Sequence, residues 1–208
     1  MNNIVLNIIF SIILMTRLVC FLYTQTNGLH NSNDFVSKKN MFEFARPVSL
    51  HYIIGYRKGK EFTETKKEKF IFKPDCLSIS EDSKKIHGIT LKKAEKKGTP
   101  PQDIMNTLKK DLKNVSVIVS HNLPFHIKAL QVECFRNCVY LDFSNHILID
   151  TINFHHNLEY PKLKDLAKQL LKKDYSDKKS SYNLTLIKKC FLKLYSQYEK
   201  SIVNKASH

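Results

Sequence analysis

Polar side chains directly follow a strongly apolar run near the start of the chain, and they are the first residues placed to do chemistry. The run spans Arg17–Tyr23, and the residues after it are Thr24, Gln25, Thr26, Asn27 and Gly28. This pattern predicts a buried strand that ends in a tight turn. Gly28 can take a positive φ, so the chain can turn sharply and let a ligand approach the backbone beyond the carboxyl end of the strand.

Cysteine and histidine offer a second kind of chemistry, which is metal binding. The five cysteines are Cys20, Cys76, Cys134, Cys138 and Cys190. Their odd number and irregular gaps predict no disulfide framework and fit a reducing compartment. Cys134 and Cys138 have the i, i+4 spacing of one helix face, near His121 and His126 in sequence. Because no second paired motif accompanies them, a zinc site there is not favoured.

The charge of the chain is unusual, whereas its length and apolar content are ordinary. The 208 residues include 34 Lys and Arg against 19 Asp and Glu, which gives a formal net charge of +15. A basic surface favours phosphate backbones or an acidic membrane face. The alternative is compositional drift, because frequent Lys, Asn and Ile are typical of an AT-rich genome. The length fits one domain with its own core.

Four segments resemble, in chain order, the motifs of the DEDDh-type 3′–5′ exonucleases, the family of RNase T and polymerase proofreading subunits. They are Tyr23–Leu29 for Asp-x-Glu-Thr-Thr-Gly-Leu, Ile86–Thr90 for the His-Gly-Ile-Thr segment, His121–His126 for His-Asn-x-x-Phe-Asp, and Tyr182–Ile187 for His-x-Ala-x-x-Asp. The last match is the least specific. The resemblance implies an α/β, ribonuclease H-like fold, a mixed five-stranded sheet flanked by helices. Alternating strands and helices in the second half independently favour such a sheet.

The resemblance also shows that the residues of the catalytic positions have been replaced. Those positions hold Tyr23, Gln25, His126, Tyr182 and Ile187. The family's acids bind two divalent metals, and a histidine acts as general base. Mg²⁺ prefers carboxylates, histidine suits softer metals, and a tyrosine phenol is a poor base at neutral pH. We therefore expect no intact catalytic residue, no metal site, no cofactor and a catalytically inactive homologue.

Neighbouring residues remain candidates for contact with a terminal nucleotide. They are Thr26, Gly28, Leu29, His87, Asn122 and Phe125. The alternative for His87 is a loop in which Gly88 ends a helix. Phe125 is better suited to anchor the core than to stack on a base. The predicted partner is a single-stranded DNA or RNA end, and a protein partner or a homodimer is a further alternative.

Two other functions stay open on the sequence. One is an active Mg²⁺- or Mn²⁺-dependent 3′–5′ exonuclease with relocated acids, for instance Glu43, Asp174 or Asp177. The other is a membrane-anchored interaction protein that uses residues 4–23 as its anchor. No Lys or Arg precedes that apolar stretch and Arg17 interrupts it, so membrane anchoring is disfavoured. We expect an intracellular protein of the cytoplasm or nucleus.

The predicted organisation has three parts. They are an apolar N-terminal extension over residues 1–16, an exonuclease-like domain over 17–200 and a frayed tail over 201–208. We hypothesise that the functional chain begins near Met15, where relatives commonly start. The predicted strands lie at 17–23, 47–56, 69–73, 115–120 and 147–151; the third ends an alternating stretch over 62–72 and forms an antiparallel hairpin with the second. The predicted helices begin near residues 80, 91, 102, 122, 162 and 182, and the last ends near Lys200.

Overall fold

The computed structural model describes residues 18–58, 61–75, 78–154, 160–176 and 179–206. The strands are β1 (Leu18–Thr26), β2 (Pro47–Lys58), β3 (Glu61–Ile71), β4 (Val115–Ser120) and β5 (Ile147–Asp150). The helices are α1 (Glu81–His87), α2 (Leu91–Lys97), α3 (Pro101–Leu112), α4 (Leu123–Arg136), α5 (Leu163–Leu171) and α6 (Asn183–Ala206). Short 3₁₀ helices cover Met41–Glu43, Thr151–Phe154 and Ser180–Tyr182.

The strands form one mixed sheet in the order β3-β2-β1-β4-β5. Strands β1, β2 and β3 pair antiparallel, whereas β1, β4 and β5 pair parallel. This architecture confirms the predicted α/β fold and the hairpin of β2 and β3. The hairpin depends on Gly55 in β2, since a Cβ there would lie 2.2 Å from the carbonyl oxygen of Thr63.

Side-chain alternation along the central strand β1 explains why both faces of the sheet are covered. Val19 and Phe21 pack into a core with residues of α5 and α6. Cys20 and Leu22 point the other way, into a core with residues of α3 and α4. A strand buried on both faces must be apolar at every position, as this one is from Leu18 to Leu22.

Local capping signals in the sequence locate the helix ends. Ser80 caps α1, and its hydroxyl accepts a hydrogen bond from the backbone N–H of Ser83 at 3.2 Å. Gly88 ends α1 in the left-handed region with φ of 69°. Thr90 caps α2 in the same way as Ser80 caps α1. These boundaries confirm the predicted helix start at residue 80 and the helix stop at Gly88.

Three local predictions were wrong. Strand β1 runs on to Thr26 rather than ending at Tyr23, because its pairing with β2 continues past that point. Strand β3 begins at Glu61 rather than at Lys69, because its pairing with β2 already starts there. The positive φ that is open to Gly28 is not used; among the described glycines only Gly88 takes one. Helix α6 continues to Ala206, beyond the predicted end near Lys200.

Part of the suggested membrane anchor lies within the described residues. Residues 18–23 of the suggested anchor lie in the central strand β1. Residues 1–17, and with them the extension and the start near Met15, lie outside the described residues. In the part of the chain that the structure describes, no helix is both long and apolar enough to cross a bilayer.

Candidate functional site

The alternation of side chains along β1 also sets the direction of the residues at its carboxyl end. Tyr23 and Gln25 continue the row of Val19 and Phe21, which faces α6. Thr24 lies on the opposite face and reaches His126 on α4. We call the region around Tyr23, Thr24, Gln25 and His126 the strand-end cleft. Three polar contacts fill it, each beginning at one residue of β1.

The first contact joins Tyr23 to the start of α6. The side-chain amide of Asn183 donates a hydrogen bond of 2.8 Å to the phenol oxygen of Tyr23. The ring of Tyr23 lies against the imidazole of His126, with ring centres 4.9 Å apart. Burial raises the pKa of Tyr23, which therefore remains a neutral phenol at physiological pH. A neutral phenol in a hydrogen bond is a poor ligand for Mg²⁺.

The second contact holds His126 in its neutral form. Its Nδ1 lies 2.7 Å from the Thr24 hydroxyl and accepts the Thr24 backbone N–H at 3.2 Å. The proton therefore sits on Nε2, which donates to the carbonyl oxygen of His121 at 3.2 Å. Burial lowers the pKa of His126 to about 3. Because both ring nitrogens are occupied within the protein, His126 has no lone pair to offer a metal.

The third contact is a chain of hydrogen bonds through Gln25. The Ser49 hydroxyl donates to the Gln25 carbonyl oxygen at 2.7 Å, and the Gln25 amide donates to the Ser180 hydroxyl at 2.8 Å. Ser180 in turn donates to the carbonyl oxygen of Ile86 at 2.9 Å. The chain ties β1 and β2 to the end of α1 and the approach to α6. Sequence reasoning missed Ser49 and Ser180, since neither stands in a motif.

The two remaining family positions lie apart from these contacts. Ile187 is fully buried in the core beneath the sheet. Tyr182 stacks on Tyr175 with ring centres 6.2 Å apart, and Lys189 donates to its phenol oxygen at 3.2 Å. Within the described ranges, no hydrogen bond or ring contact joins Tyr182 to the strand-end cleft. Of the five predicted positions, Tyr23 and His126 contact each other through their rings, and Tyr23 and Tyr182 pack against the core cluster that contains Ile187.

Several predicted nucleotide contacts lie on the loop after β1 and at the end of α1. The Thr26 hydroxyl is buried and donates to the carbonyl oxygen of Gly28 at 2.7 Å. The region around Gly28 is open, and the Leu29 side chain is 79% exposed. His87 is half-buried and accepts the backbone N–H of Ile89 at 3.0 Å. Only Leu29 among them offers a large, free side chain to a ligand.

The other two predicted nucleotide contacts, Asn122 and Phe125, lie at the start of α4. A carboxylate binds the first backbone N–H groups of this helix. Asn122 takes a left-handed φ of 61°, and its side chain makes no capping hydrogen bond. The carboxylate of Asp150 instead accepts the backbone N–H groups of Asn122 and Leu123, both at 2.8 Å. Phe125 stacks on His30 with ring centres 4.3 Å apart. Asp150 therefore caps α4, whereas the side chain of Asn122 does not.

The acids suggested as relocated catalytic groups do not gather at the cleft. Glu43 lies exposed in the loop before β2. The Asp174 carboxylate is bound by Lys168 at 3.1 Å and by the backbone N–H of Ser176 at 2.8 Å. These bonds lower its pKa to about 2. Asp177 lies outside the described residues.

A zinc site at Cys134 and Cys138 finds no support in the geometry. Cys134 is buried, which raises its thiol pKa to about 12, whereas Cys138 is exposed. His121 is held by Thr151 and by the carbonyl oxygen of Pro161. Over the ranges that the structure describes, no three His, Cys, Asp or Glu side chains come together as a metal site.

Comparison with known proteins agrees with this fold. The family model RNase_T, described as exonuclease, matches residues 28–176 of the chain. That match covers well over half of the sequence, so the chain belongs to this exonuclease family. No curated protein matches the sequence. The match begins after Gln25 and ends before Tyr182, so only His126 of the five catalytic positions falls within it.

Solved structures of exonuclease I resemble the chain over most of its length. One, in complex with the inhibitor BCBP, has a TM-score of 0.67 at 16% identity, and covers 91% of this chain and 43% of its own. The enzyme from Methylocaldum szegediense has a TM-score of 0.66 at 13% identity, and the match covers 90% of this chain and 42% of the enzyme. A zinc-bound complex of E. coli exonuclease I with single-stranded DNA has a TM-score of 0.65 at 15% identity and covers 91% and 42%. The chain therefore spans less than half the length of these enzymes.

The family normally uses Mg²⁺ or Mn²⁺, and the residues of the strand-end cleft do not fit such an ion. Mg²⁺ and Mn²⁺ select carboxylate, carbonyl and water oxygens. The cleft offers a phenol bonded to Asn183, an imidazole with both nitrogens bonded, and an amide bonded to two serines. None of these groups carries a negative charge. The strand-end cleft therefore provides no ligand set for Mg²⁺ or Mn²⁺.

Proposed function

We propose that this chain is an exonuclease-fold protein that binds nucleic acid ends without hydrolysing them. The observation that carries the proposal is the replacement of charged catalytic groups by neutral residues that hydrogen-bond within the protein. Tyr23, Gln25 and His126 are each engaged by a neighbour, so none is free to activate water or hold a cation. A site with these groups lacks both the Lewis acid and the general base that phosphodiester hydrolysis needs.

The same replacement favours binding of phosphate. Four family positions that carry acids hold uncharged side chains here, which removes the repulsion that carboxylates exert on a phosphodiester. The formal net charge of +15 adds a general attraction for nucleic acid. Leu29 lies beside the cleft with 79% of its side chain exposed and offers an apolar surface to a terminal base. The complex of the structurally similar E. coli exonuclease I with single-stranded DNA is in keeping with such a ligand.

The test uses the full chain and an end-labelled single-stranded oligonucleotide. Incubation with Mg²⁺, Mn²⁺ or EDTA and a denaturing gel will show whether the 3′ end is trimmed. A gel shift will measure binding, which we expect to weaken at least about tenfold between roughly 50 and 200 mM salt. We expect no trimming of the 3′ end and a gel shift that weakens with added salt.

Two variants distinguish specific end binding from diffuse attraction. Leu29→Glu places a charge beside the cleft and is expected to weaken the shift about fivefold or more, about 1 kcal/mol. Leu148→Glu makes the same change on the exposed side of β5 and is the matched control. Equal losses in the two variants would refute binding at the cleft. Metal-dependent trimming would refute inactivity, and Glu43→Gln and Asp174→Asn would then identify relocated acids.

A further inference from the structure

A pocket of about 560 Å³ lies at the opposite end of the sheet from the strand-end cleft. One wall comes from the last turn of α3 and the start of β4, and the other comes from residues 140–146, which precede β5. Strand β4 has six residues, so the pocket and the cleft are roughly 20 Å apart. The contacts of the strand-end cleft involve none of the residues that line this pocket.

The first wall carries concentrated positive charge. Lys109 and Lys113 lie one turn apart on α3, and Lys110 lies beside them. All three side chains are exposed, and none is ion-paired with a carboxylate of the described residues. The acid that lines the pocket, Asp142, is engaged by the backbone N–H and hydroxyl of Ser144, both at 2.8 Å. The lysines are thus available to an anion from solvent.

The second wall and the floor provide a flat ring and an apolar surface. Tyr140 is 74% exposed. Leu112, Val115 and Leu141 line the pocket between this ring and the lysines. A ligand that fills the pocket must therefore be anionic at one end and flat or apolar at the other.

A histidine completes the polar part of the pocket. The Nε2 of His146 lies 3.3 Å from the carbonyl oxygen of Leu112, to which it donates at the end of α3. Its Nδ1, which is then the acceptor of the ring, is buried and has no hydrogen-bond partner among the described residues. A buried polar atom without a partner is costly, so a ligand that supplies a donor there gains affinity.

We propose that this pocket binds a nucleotide unit, with its phosphate on the lysines of α3 and its base against Tyr140. A phosphate suits three unpaired lysines, a base stacks on an aromatic ring, and a hydroxyl or amino group of the ligand satisfies Nδ1 of His146. The volume falls within the range of small-molecule sites. The unit is supplied either by a free mononucleotide or by a segment of a nucleic acid strand. This inference does not depend on the function proposed for the strand-end cleft.

Isothermal titration of the full chain with AMP, inorganic phosphate and a short oligothymidylate tests the proposal. We expect AMP to bind at least about tenfold more tightly than phosphate, because only AMP engages Tyr140. AMP tighter than the oligonucleotide identifies a free nucleotide as the ligand, and the reverse order identifies a strand. Phosphate binding as tightly as AMP would overturn the proposal, and so would no binding of either.

Two pairs of substitutions show where the ligand binds. Lys109→Gln/Lys113→Gln is expected to weaken AMP binding about tenfold or more, whereas Lys92→Gln/Lys96→Gln is expected to change it less than about twofold. The control removes the same charge at the same spacing from the exposed face of α2. Equal losses would mean diffuse attraction and would overturn the proposal.

Two further readouts address the aromatic wall and the histidine. Tyr140→Ala should weaken AMP binding about fivefold and leave phosphate binding unchanged. AMP should also shift the NMR signals of the His146 ring, assigned through His146→Gln. An acidic peptide that binds the pocket more tightly than AMP would overturn the proposal. Leu29→Glu should leave AMP binding unchanged. AMP binding at the pocket can therefore be distinguished from oligonucleotide binding at the strand-end cleft.

Discussion

Acid should destabilise this protein through His126, because the imidazole is buried in its neutral form. Burial lowers its pKa to about 3 from the usual 6.5. As the pH falls below 6.5, the unfolded chain binds the proton first, so the free energy of unfolding decreases. This contribution to stability is complete well above pH 6.5 and is lost progressively as the pH approaches 3. Each pH unit is worth at most about 1.4 kcal/mol, and the unfolded imidazole is already half protonated at pH 6.5, which gives about 2 kcal/mol between pH 6.5 and roughly 4.5.

The perturbation that isolates this effect is His126→Gln, which removes the titrating group. Urea denaturation followed by circular dichroism measures the free energy of unfolding at several pH values. The variant should be less stable at neutral pH because the bonds to Thr24 and His121 are altered. Its stability should nevertheless fall about 2 kcal/mol less than that of the wild type between pH 6.5 and roughly 4.5.

The pH dependence of the two proteins also provides a control. Above about pH 7.5 the difference between the two proteins should stay constant, since neutral His126 no longer titrates. The pKa of His51 is also lowered by burial, to about 4, so the wild-type curve contains a second contribution that the variant keeps. Parallel curves for the two proteins down to pH 4.5 would refute the burial of a neutral His126.

Three further substitutions test the fold by urea denaturation. Glu133→Gln should cost about 3 kcal/mol, because it breaks a buried ion pair in which Arg46 donates to Glu133 at 2.6 Å; no loss would refute the pair. Gly55→Ala should cost about 1–3 kcal/mol, since its Cβ meets a backbone oxygen of β3, whereas the control Gly28→Ala meets nothing within 4 Å and should cost under about 0.5 kcal/mol. Asp150→Asn should cost about 2 kcal/mol, because its amide replaces one of the oxygens that cap α4; an unchanged midpoint would contradict that role.

Much of the fold was predictable because its signals are local. The apolar run 115–120 has the length and composition of a buried strand, and it forms β4. Ser80 and Gly88 bound α1 because a serine hydroxyl and a glycine at positive φ satisfy the ends of a helix wherever they occur. The extra residues of β1 were missed because its pairing partner β2 lies more than 20 residues away, and propensity does not report such pairing.

For the candidate site, the sequence predicted which positions contribute but not which groups they contact. Motif resemblance located Tyr23, Gln25 and His126, but residue types alone do not say which groups they meet. The hydroxyl of Thr24, the amide of Asn183 and the hydroxyl of Ser180 come from different elements. None of them belongs to a pattern that marks a partner, so the contacts that fill the cleft have no signal in the sequence.

The sequence by itself determined the family resemblance, the mixed sheet and the prediction that the catalytic acids are replaced. These properties follow from residue identity, side-chain periodicity and capping, which depend on neighbours along the chain. Only the tertiary structure decided which neighbours these residues hydrogen-bond to, as with Tyr23 and Asn183 or Gln25 and Ser180. It also decided that three lysines and His146 share a pocket with Tyr140. The physical reason is that hydrogen bonds and pockets join residues 100 or more positions apart as readily as near neighbours, as Thr24 and His126 show.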